Sequence, residues 1–331
     1  MKKYNVSIFV PHEGCPNNCS FCNQKSISGK TTLPSEKDVV SACEIAMKTA
    51  PSNQGEIAFF GGSFTAIERE YMLRLLKSAY PFVKEGFFKG IRISTRPDCI
   101  DDEICELLRS YGVTSVELGC QSMDDEVLKA NLRGHTSRDV EKAVEILRKY
   151  GFETGLQMMT GLYKSSFEKD IETAEKIIAL KPDTVRIYPT IVLENTLLEE
   201  NFRSGEYKVM SLQETVELCA KLLLMFEEND INVIRTGLHS GGNVEEGYVA
   251  GAYHPAFKEL CESEIYLGKI LEAISPIPPC EVEISVPAGA VSQATGQKKK
   301  NKLFLEEKGY KVKFTEDKSL KKYNVKCCVR K

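Results

Sequence analysis

Short apolar runs recur along the chain at residues 4–10, 56–60, 91–95, 115–119, 154–159, 184–188 and 231–235. Several are nearly continuous, as expected of strands covered on both faces rather than one. The segments between them carry helical periodicity with readable starts. Ser35 with Asp38, Thr136 with Asp139, Ser165 with Glu168 and Ser211 with Glu214 all have capping-box spacing. After Thr136, the residues Val140, Val144, Ile146 and Leu147 share one side of the predicted helix. Repeated strand–helix units predict an α/β fold with a parallel sheet, open or closed into a barrel. In a barrel the chemistry sits at the C-terminal ends of the strands.

Beyond Arg235 the pattern changes. Residues 236–256 hold five glycines together with His239 and His254, and read as an irregular segment. A helix is predicted over 256–274, and Pro276, Pro278 and Pro279 then break the chain. The last fifty residues predict a small α+β unit: a strand at 281–286, a helix, a tight turn at Gly296, a helix at 299–307 and a strand at 310–314. The expected organisation is a catalytic unit over 1–240, an irregular segment plus helix packing on it over 241–279, and a small basic domain over 280–331.

Composition narrows the class. A hydrophobic share of 42% in 331 residues supports a sizeable core. The start of the chain reaches Pro11 after too short an apolar run for a signal-peptide core, and no later run approaches the roughly 18 apolar residues of a spanning helix. The expectation is a cytoplasmic protein without a membrane partner. The net charge of −3 conceals an asymmetry: residues 298–331 carry 13 basic and 4 acidic side chains, leaving −12 on the rest. A basic terminus of this kind suits nucleic acid, although a solvated lysine-rich face gives the same count.

The chemistry concentrates in Gly14-Cys15-Pro16-Asn17-Asn18-Cys19-Ser20-Phe21-Cys22, directly after the first predicted strand. Cysteines spaced C-x3-C-x2-C can wrap one metal centre from a single loop, and thiols this close in a cytosolic chain point to ligands rather than a disulfide framework. Zinc wants a fourth ligand for a closed tetrahedral site, which His12 could complete. A [4Fe–4S] cluster held by three thiolates keeps one iron open, and an open position is how a metal site becomes catalytic. The bland alternative is three unrelated structural cysteines. Elsewhere, Cys43, Cys105, Cys219 and Cys261 fall in helical patterns, as small buried thiols do. Cys120 ends the fourth strand, where a redox role competes with that of an apolar filler.

With these residues in view, the chain resembles the radical S-adenosylmethionine (SAM) superfamily, and within it the radical domain of the elongator-type catalytic subunit. Phe9-Val10-Pro11-His12-Glu13-Gly14-Cys15-Pro16 and Phe21-Cys22-Asn23-Gln24 carry the match. Gly61-Gly62-Ser63-Phe64, Thr95-Arg96-Pro97-Asp98, Glu117 to Ser122 and Leu132-Arg133-Gly134-His135-Thr136 support it over roughly residues 4–240. The resemblance implies a partial (β/α)6-type TIM barrel. It also implies a [4Fe–4S] cluster on Cys15, Cys19 and Cys22 that binds SAM and cleaves it reductively to a 5′-deoxyadenosyl radical. Phe21, Gly61, Gly62, Ser63, Gln121 and Arg133 are then expected around SAM, with Ser63 standing where many such enzymes carry an acidic residue. Gln157 stands where relatives often carry Asp. An electron donor such as flavodoxin or ferredoxin is implied. The acetyltransferase domain of the elongator-type subunit has no counterpart in this sequence, so acetyl transfer is not carried over.

Residues 281–316 resemble the core of a KH domain, whose GXXG loop clamps a nucleic-acid backbone. Gly296-Gln297-Lys298-Lys299 occupies the loop position, with lysine in place of the second glycine. Gly296, Lys298, Lys299 and Lys300 are the expected RNA contacts. Three functions stay open at this level: a radical enzyme modifying tRNA or rRNA, a radical enzyme acting on a small molecule or peptide, and a nucleic-acid-binding protein with a structural zinc.

Overall fold

The computed structural model describes residues 4–11, 19–23, 32–49, 53–238 and 245–330. Six strand–helix units and a closing strand build one curled, wholly parallel sheet. The strands β1 (Asn5–Val10), β2 (Glu56–Gly61), β3 (Gly90–Thr95), β4 (Val113–Gln121), β5 (Glu153–Thr160) and β6 (Thr184–Pro189) lie side by side in chain order. The short β7 (Ile191–Leu193) leaves the sheet, and β8 (Asn232–Thr236) closes it by pairing with β6. All seven predicted strands are present, and the partial barrel is the fold. Helices α1 (Glu36–Thr49), α2 (Arg69–Lys84), α3 (Asp102–Ser110), α4 (Asp125–Ala130), α5 (Ser137–Lys149), α6 (Phe167–Leu180), α7 (Leu197–Ser204) and α8 (Leu212–Glu228) fill the connections.

The period-two pattern of the strands divides the sheet chemically. Outward residues such as Val116, Leu118 and Cys120 of β4 or Val185 and Ile187 of β6 are buried under the helices and form the main core. Inward residues are largely polar: Arg92 of β3, Ser115 and Glu117 of β4, Glu153 and Gln157 of β5, Arg186 of β6. The curled inner face is thus lined for chemistry, not filled with apolar side chains.

Helix starts largely follow the sequence signals. Thr136 and Ser211 form complete capping boxes with Asp139 and Glu214. The expected Ser165 cap is displaced by one residue. Ser166 caps α6 by accepting from the Lys169 N–H, while the Ser165 hydroxyl donates to the buried Asp170 carboxylate at 2.6 Å. A burial requirement took the first serine. Asp98 caps nothing either; Asp101 caps α3 by accepting from the Ile104 N–H.

The segment read as irregular contains β9 (Tyr248–Gly251), antiparallel to β7. Helix α9 (Phe257–Ile274) packs along α8, with Cys261 beside Cys219 at the buried contact. The C-terminal unit runs β10 (Glu281–Val286), α10 (Val291–Thr295), a 3-10 turn (Gln297–Lys299), α11 (Lys300–Glu307), β11 (Lys311–Glu316) and β12 (Lys326–Val329). Its sheet order is β11-β10-β12. Val282, Ile284, Leu305 and Tyr323 belong to the same continuous core as the barrel helices. No helix among the described residues is long and apolar enough to cross a membrane.

Candidate active site at the barrel mouth

The end of the cysteine motif is fastened to the C-terminal ends of the strands from two sides. Ser20 donates its N–H to the Asn131 carbonyl at 3.1 Å and its hydroxyl to the Asn131 side-chain oxygen at 2.6 Å. Asn131 is fully buried, and its amide donates to the carbonyls of Val127 and Tyr163 at 2.8 and 2.9 Å. On the other side the Ser20 carbonyl accepts from the Leu198 N–H at 2.7 Å, and the Asn23 amide donates to the Glu194 carbonyl at 2.8 Å. Phe21 packs against an apolar cluster that includes Val192, Leu198 and Tyr207. The Ser20 backbone and hydroxyl are thus all paired, as buried polar groups require.

Cys19 and Cys22 are joined by a tight turn, Cys22 N–H to the Cys19 carbonyl at 3.1 Å. Cys15, His12 and His239 lie outside the described residues. Among the described residues no group of three metal-ligating side chains converges.

Arg133 follows a turn in which Leu132 adopts φ +55°. It is buried, donating Nη1 to the Cys19 sulfur at 3.0 Å and Nη2 to the Gly119 carbonyl at 2.7 Å. Its Nε has no partner among the described residues. Arg133 is therefore not a solvated arginine at a helix end. Gly119 leaves room for this arrangement: a Cβ there would come within 2.9 Å of the Gln121 amide and 3.3 Å of Arg133 Nη2. Gln121 is buried with φ +66°, a conformation that costs an ordinary residue about 1–3 kcal/mol and clusters at functional sites.

Arg96 closes β3 in a two-pronged ion pair with Asp98, both nitrogens at 2.9 Å. Burial weakens its charge, but Asp98, with help from the Cys19 and Cys99 thiols, holds the guanidinium above its usual range. His135 is buried, with Nε2 3.2 Å from the Cys120 carbonyl and Nδ1 unpartnered. Burial, and next the Arg133 charge, push it down to about 4. Cys120 itself points into the helix–sheet core, where burial pushes its thiol up to about 12. That is the filler reading.

At β2, the Gly62 N–H is committed to the Val10 carbonyl at 3.1 Å, and Gly61 has φ +124° with that carbonyl occupying the space of a Cβ. Ser63 is buried at the start of the 3-10 turn Phe64–Ala66. Deeper in the barrel, Glu117 is 1% exposed and accepts from Arg186 Nε and Nη2 at 2.6 and 2.8 Å, from Arg92 Nη1 at 3.3 Å and from Gln157 Nε2 at 2.9 Å. Arg92 also pairs with Glu56 and Glu153. Gln157 thus serves the inner network. Asn131 and this network were not anticipated from sequence; only the alternation of charged residues on β3, β4 and β6 hinted at the latter.

The donor set fits an iron–sulfur centre with a bound SAM. The buried Arg133 guanidinium donates to a motif sulfur, a contact that a metal-bound thiolate would accept. Arg133 also keeps a buried N–H without a partner among the described residues, a donor that an anionic ligand would satisfy.

Comparison with known proteins agrees. The family model described as the radical SAM superfamily matches residues 9–177, and the radical SAM C-terminal domain matches 182–266. The tRNA uridine(34) acetyltransferase of Dehalococcoides mccartyi is 29% identical over a match spanning 61% of this chain and 52% of that protein. Human Elongator complex protein 3 is 34% identical over 51% of this chain and 35% of its own length. The chain thus spans about half or less of the length of these two relatives. The archaeal Methanocaldococcus infernus Elp3 structure superposes with a TM-score of 0.64 at 24% identity, covering 84% of this chain and 66% of that one. By these matches the chain belongs to the radical SAM superfamily, as an enzyme whose radical domain is homologous to that of Elongator complex protein 3.

Proposed function

We propose that this enzyme holds a [4Fe–4S] cluster on Cys15, Cys19 and Cys22 and modifies RNA. The chemistry supplied by that centre with SAM is reductive cleavage to a 5′-deoxyadenosyl radical, drawing one electron from a donor such as flavodoxin or ferredoxin. The chain's own residues do the holding. Arg133 carries this reading: its contact with Cys19 puts a fixed, buried cation between a motif thiol and the end of β4. Its unpartnered Nε suits the SAM carboxylate. Gln121 and Ser63 flank the same mouth, with Gly61 and Gly62 shaping the β2 turn below it. Phe21 would contribute from its anchored position over the α7 cluster.

RNA as the substrate is supported by the tRNA-modifying relatives and by the basic C-terminus. The Lys300 ammonium donates to the Gln213 side chain at 3.1 Å, at the N-terminal end of α8. Since α8 runs down the barrel before β8 runs up, that end lies beside the barrel mouth. Lys298 and Lys299 both adopt left-handed backbone, φ +52° and +64°, and follow Gly296 in the turn. Asn301 anchors the turn by donating to the carbonyls of Ser263 and Ala294. The test is crosslinking of the reconstituted protein to total tRNA and rRNA, with Lys298→Glu and Lys299→Glu. Each substitution is expected to weaken binding and reduce the salt slope by roughly one. Unchanged crosslinking would remove the turn from the RNA interface.

A further inference from the structure

The inner face of the half-barrel carries three arginines whose partnering differs. Arg92 pairs with Glu56, Glu117 and Glu153, and Arg186 takes Glu117 in a two-pronged contact. Arg235 has no carboxylate partner among the described residues. Its Nε and Nη2 donate only to the carbonyls of Gly237 and Leu238, at 3.2 and 3.1 Å. A register shift before Arg186 skips one residue of β8 and pairs Arg186 with Arg235, so the two cations stand side by side on adjacent strands. Tyr188, two residues further along β6, accepts from Arg186 Nη1 at 3.4 Å. It lies within electrostatic reach of Arg235 as well.

Two neighbouring arginines, of which only Arg186 meets a carboxylate, leave local positive charge in a partly buried place. Burial and then the Arg186 charge weaken the Arg235 cation, with Tyr188 acting the other way. Buried charge of this kind is expensive unless an anion meets it. Arg235 Nη1 and the Tyr188 hydroxyl hydrogen, both uncommitted among the described residues, are donors suited to the several oxygens of a phosphate. The position, toward the C-terminal ends of β6 and β8, faces the barrel mouth.

We infer that Arg235 and Tyr188, backed by Arg186, form a phosphate-binding subsite that takes the backbone phosphate of the nucleotide presented to the barrel. The subsite rests on the RNA reading above and adds the atoms that would fix the substrate's register. Glu117 holds Arg186 in place from below, leaving Arg235 to meet the ligand.

The test is calorimetric titration of the anaerobically reconstituted protein with UMP, uridine and inorganic phosphate at low salt. UMP is expected to bind at least about tenfold more tightly than uridine, the scale of one charge-assisted contact. Arg235→Gln should bring that ratio to within about twofold, and Arg235→Lys should retain part of it. Phosphate that competes with UMP while uridine does not identifies the free anion as sufficient. Unfolding midpoints report whether the variants fold; if Arg235→Gln does not, Tyr188→Phe and Arg235→Lys carry the test by lowering the UMP preference. Equal binding of UMP and uridine, binding of neither, or an undiminished preference in Arg235→Gln would overturn the inference. Failure of the parent reading looks different: the wild-type protein given SAM and reductant releases no 5′-deoxyadenosine, whatever UMP does.

Discussion

Arg133 places Nη1 3.0 Å from the Cys19 sulfur while its Nη2 holds the Gly119 carbonyl at 2.7 Å. One side chain thereby sets the distance between the cysteine loop and the end of β4. Arg133→Lys keeps a charge but cannot hold both contacts at once. The expected outcome is a fold that persists, iron content close to wild type and SAM cleavage slowed by roughly ten- to a hundredfold. The cluster's EPR spectrum should also respond to added SAM differently from wild type, a change that a purely structural role would not produce. Wild-type cleavage rates in Arg133→Lys would show the contact to be incidental.

Asn131 joins three segments, the cysteine loop through Ser20, α4 through Val127 and the loop after β5 through Tyr163. Asn131→Ala strands the Ser20 hydroxyl and the Tyr163 carbonyl, while the Val127 carbonyl keeps the backbone N–H of residue 131. A cost of about 2–4 kcal/mol is expected from the groups left unsatisfied. Urea unfolding measures it, and iron retention after gel filtration should fall in parallel. A stability within experimental error of wild type would mean that water replaces the amide.

Glu117 neutralises two buried arginines and also accepts from Gln157. Glu117→Ala leaves Arg186 with uncompensated charge, while Arg92 keeps Glu56 and Glu153. Breaking a buried pair from one side costs about 3–5 kcal/mol, so the variant is expected to unfold at markedly lower urea. Glu117→Gln keeps the acceptor but removes the charge and should fall between the two.

Two buried groups give opposite pH dependences. His135 is pushed down to about 4, so between that value and about 6.5 the unfolded chain binds the extra proton and stability falls as pH is lowered. Asp170 is pushed up to about 6 by burial, against the hydrogen bonds from Ser165 and Gly161; between 3.8 and 6 the folded chain binds the extra proton, and stability falls as pH is raised. The His135 effect amounts to about 3 kcal/mol at most. In His135→Gln the acid-side loss between pH 6.5 and 4 should shrink, leaving the Asp170 trend exposed. Identical pH profiles for variant and wild type would contradict the burial assigned to His135.

The strand–helix order and the cysteine motif were legible because they rest on local pattern, apolar runs, capping spacing and thiols close in sequence; the partial barrel was legible through resemblance. Gln121 and Arg133 are expected at the site through resemblance alone; the structure shows a left-handed backbone at one and a buried double contact at the other. What stayed hidden depends on pairing across the sheet. Glu117, Arg186 and Arg235 are far apart in sequence and meet only because β4, β5, β6 and β8 lie in register. Asn131 reads as an ordinary polar residue until the loop it anchors is seen. Ser165 shows the converse: its capping signal is genuine, but a buried carboxylate five residues on outbids it. The net charge of −3 concealed in the same way a basic end that packs on α8 and α9 through Lys300, Lys322 and Asn301.

The central claim is that the Cys19 loop builds a radical centre, and anaerobic reconstitution with iron and sulfide tests it most directly. With SAM and a low-potential reductant, the wild-type protein is expected to turn brown and release 5′-deoxyadenosine, and Cys19→Ala to do neither. A colourless protein that instead retains one tightly bound zinc and leaves SAM intact would contradict the account.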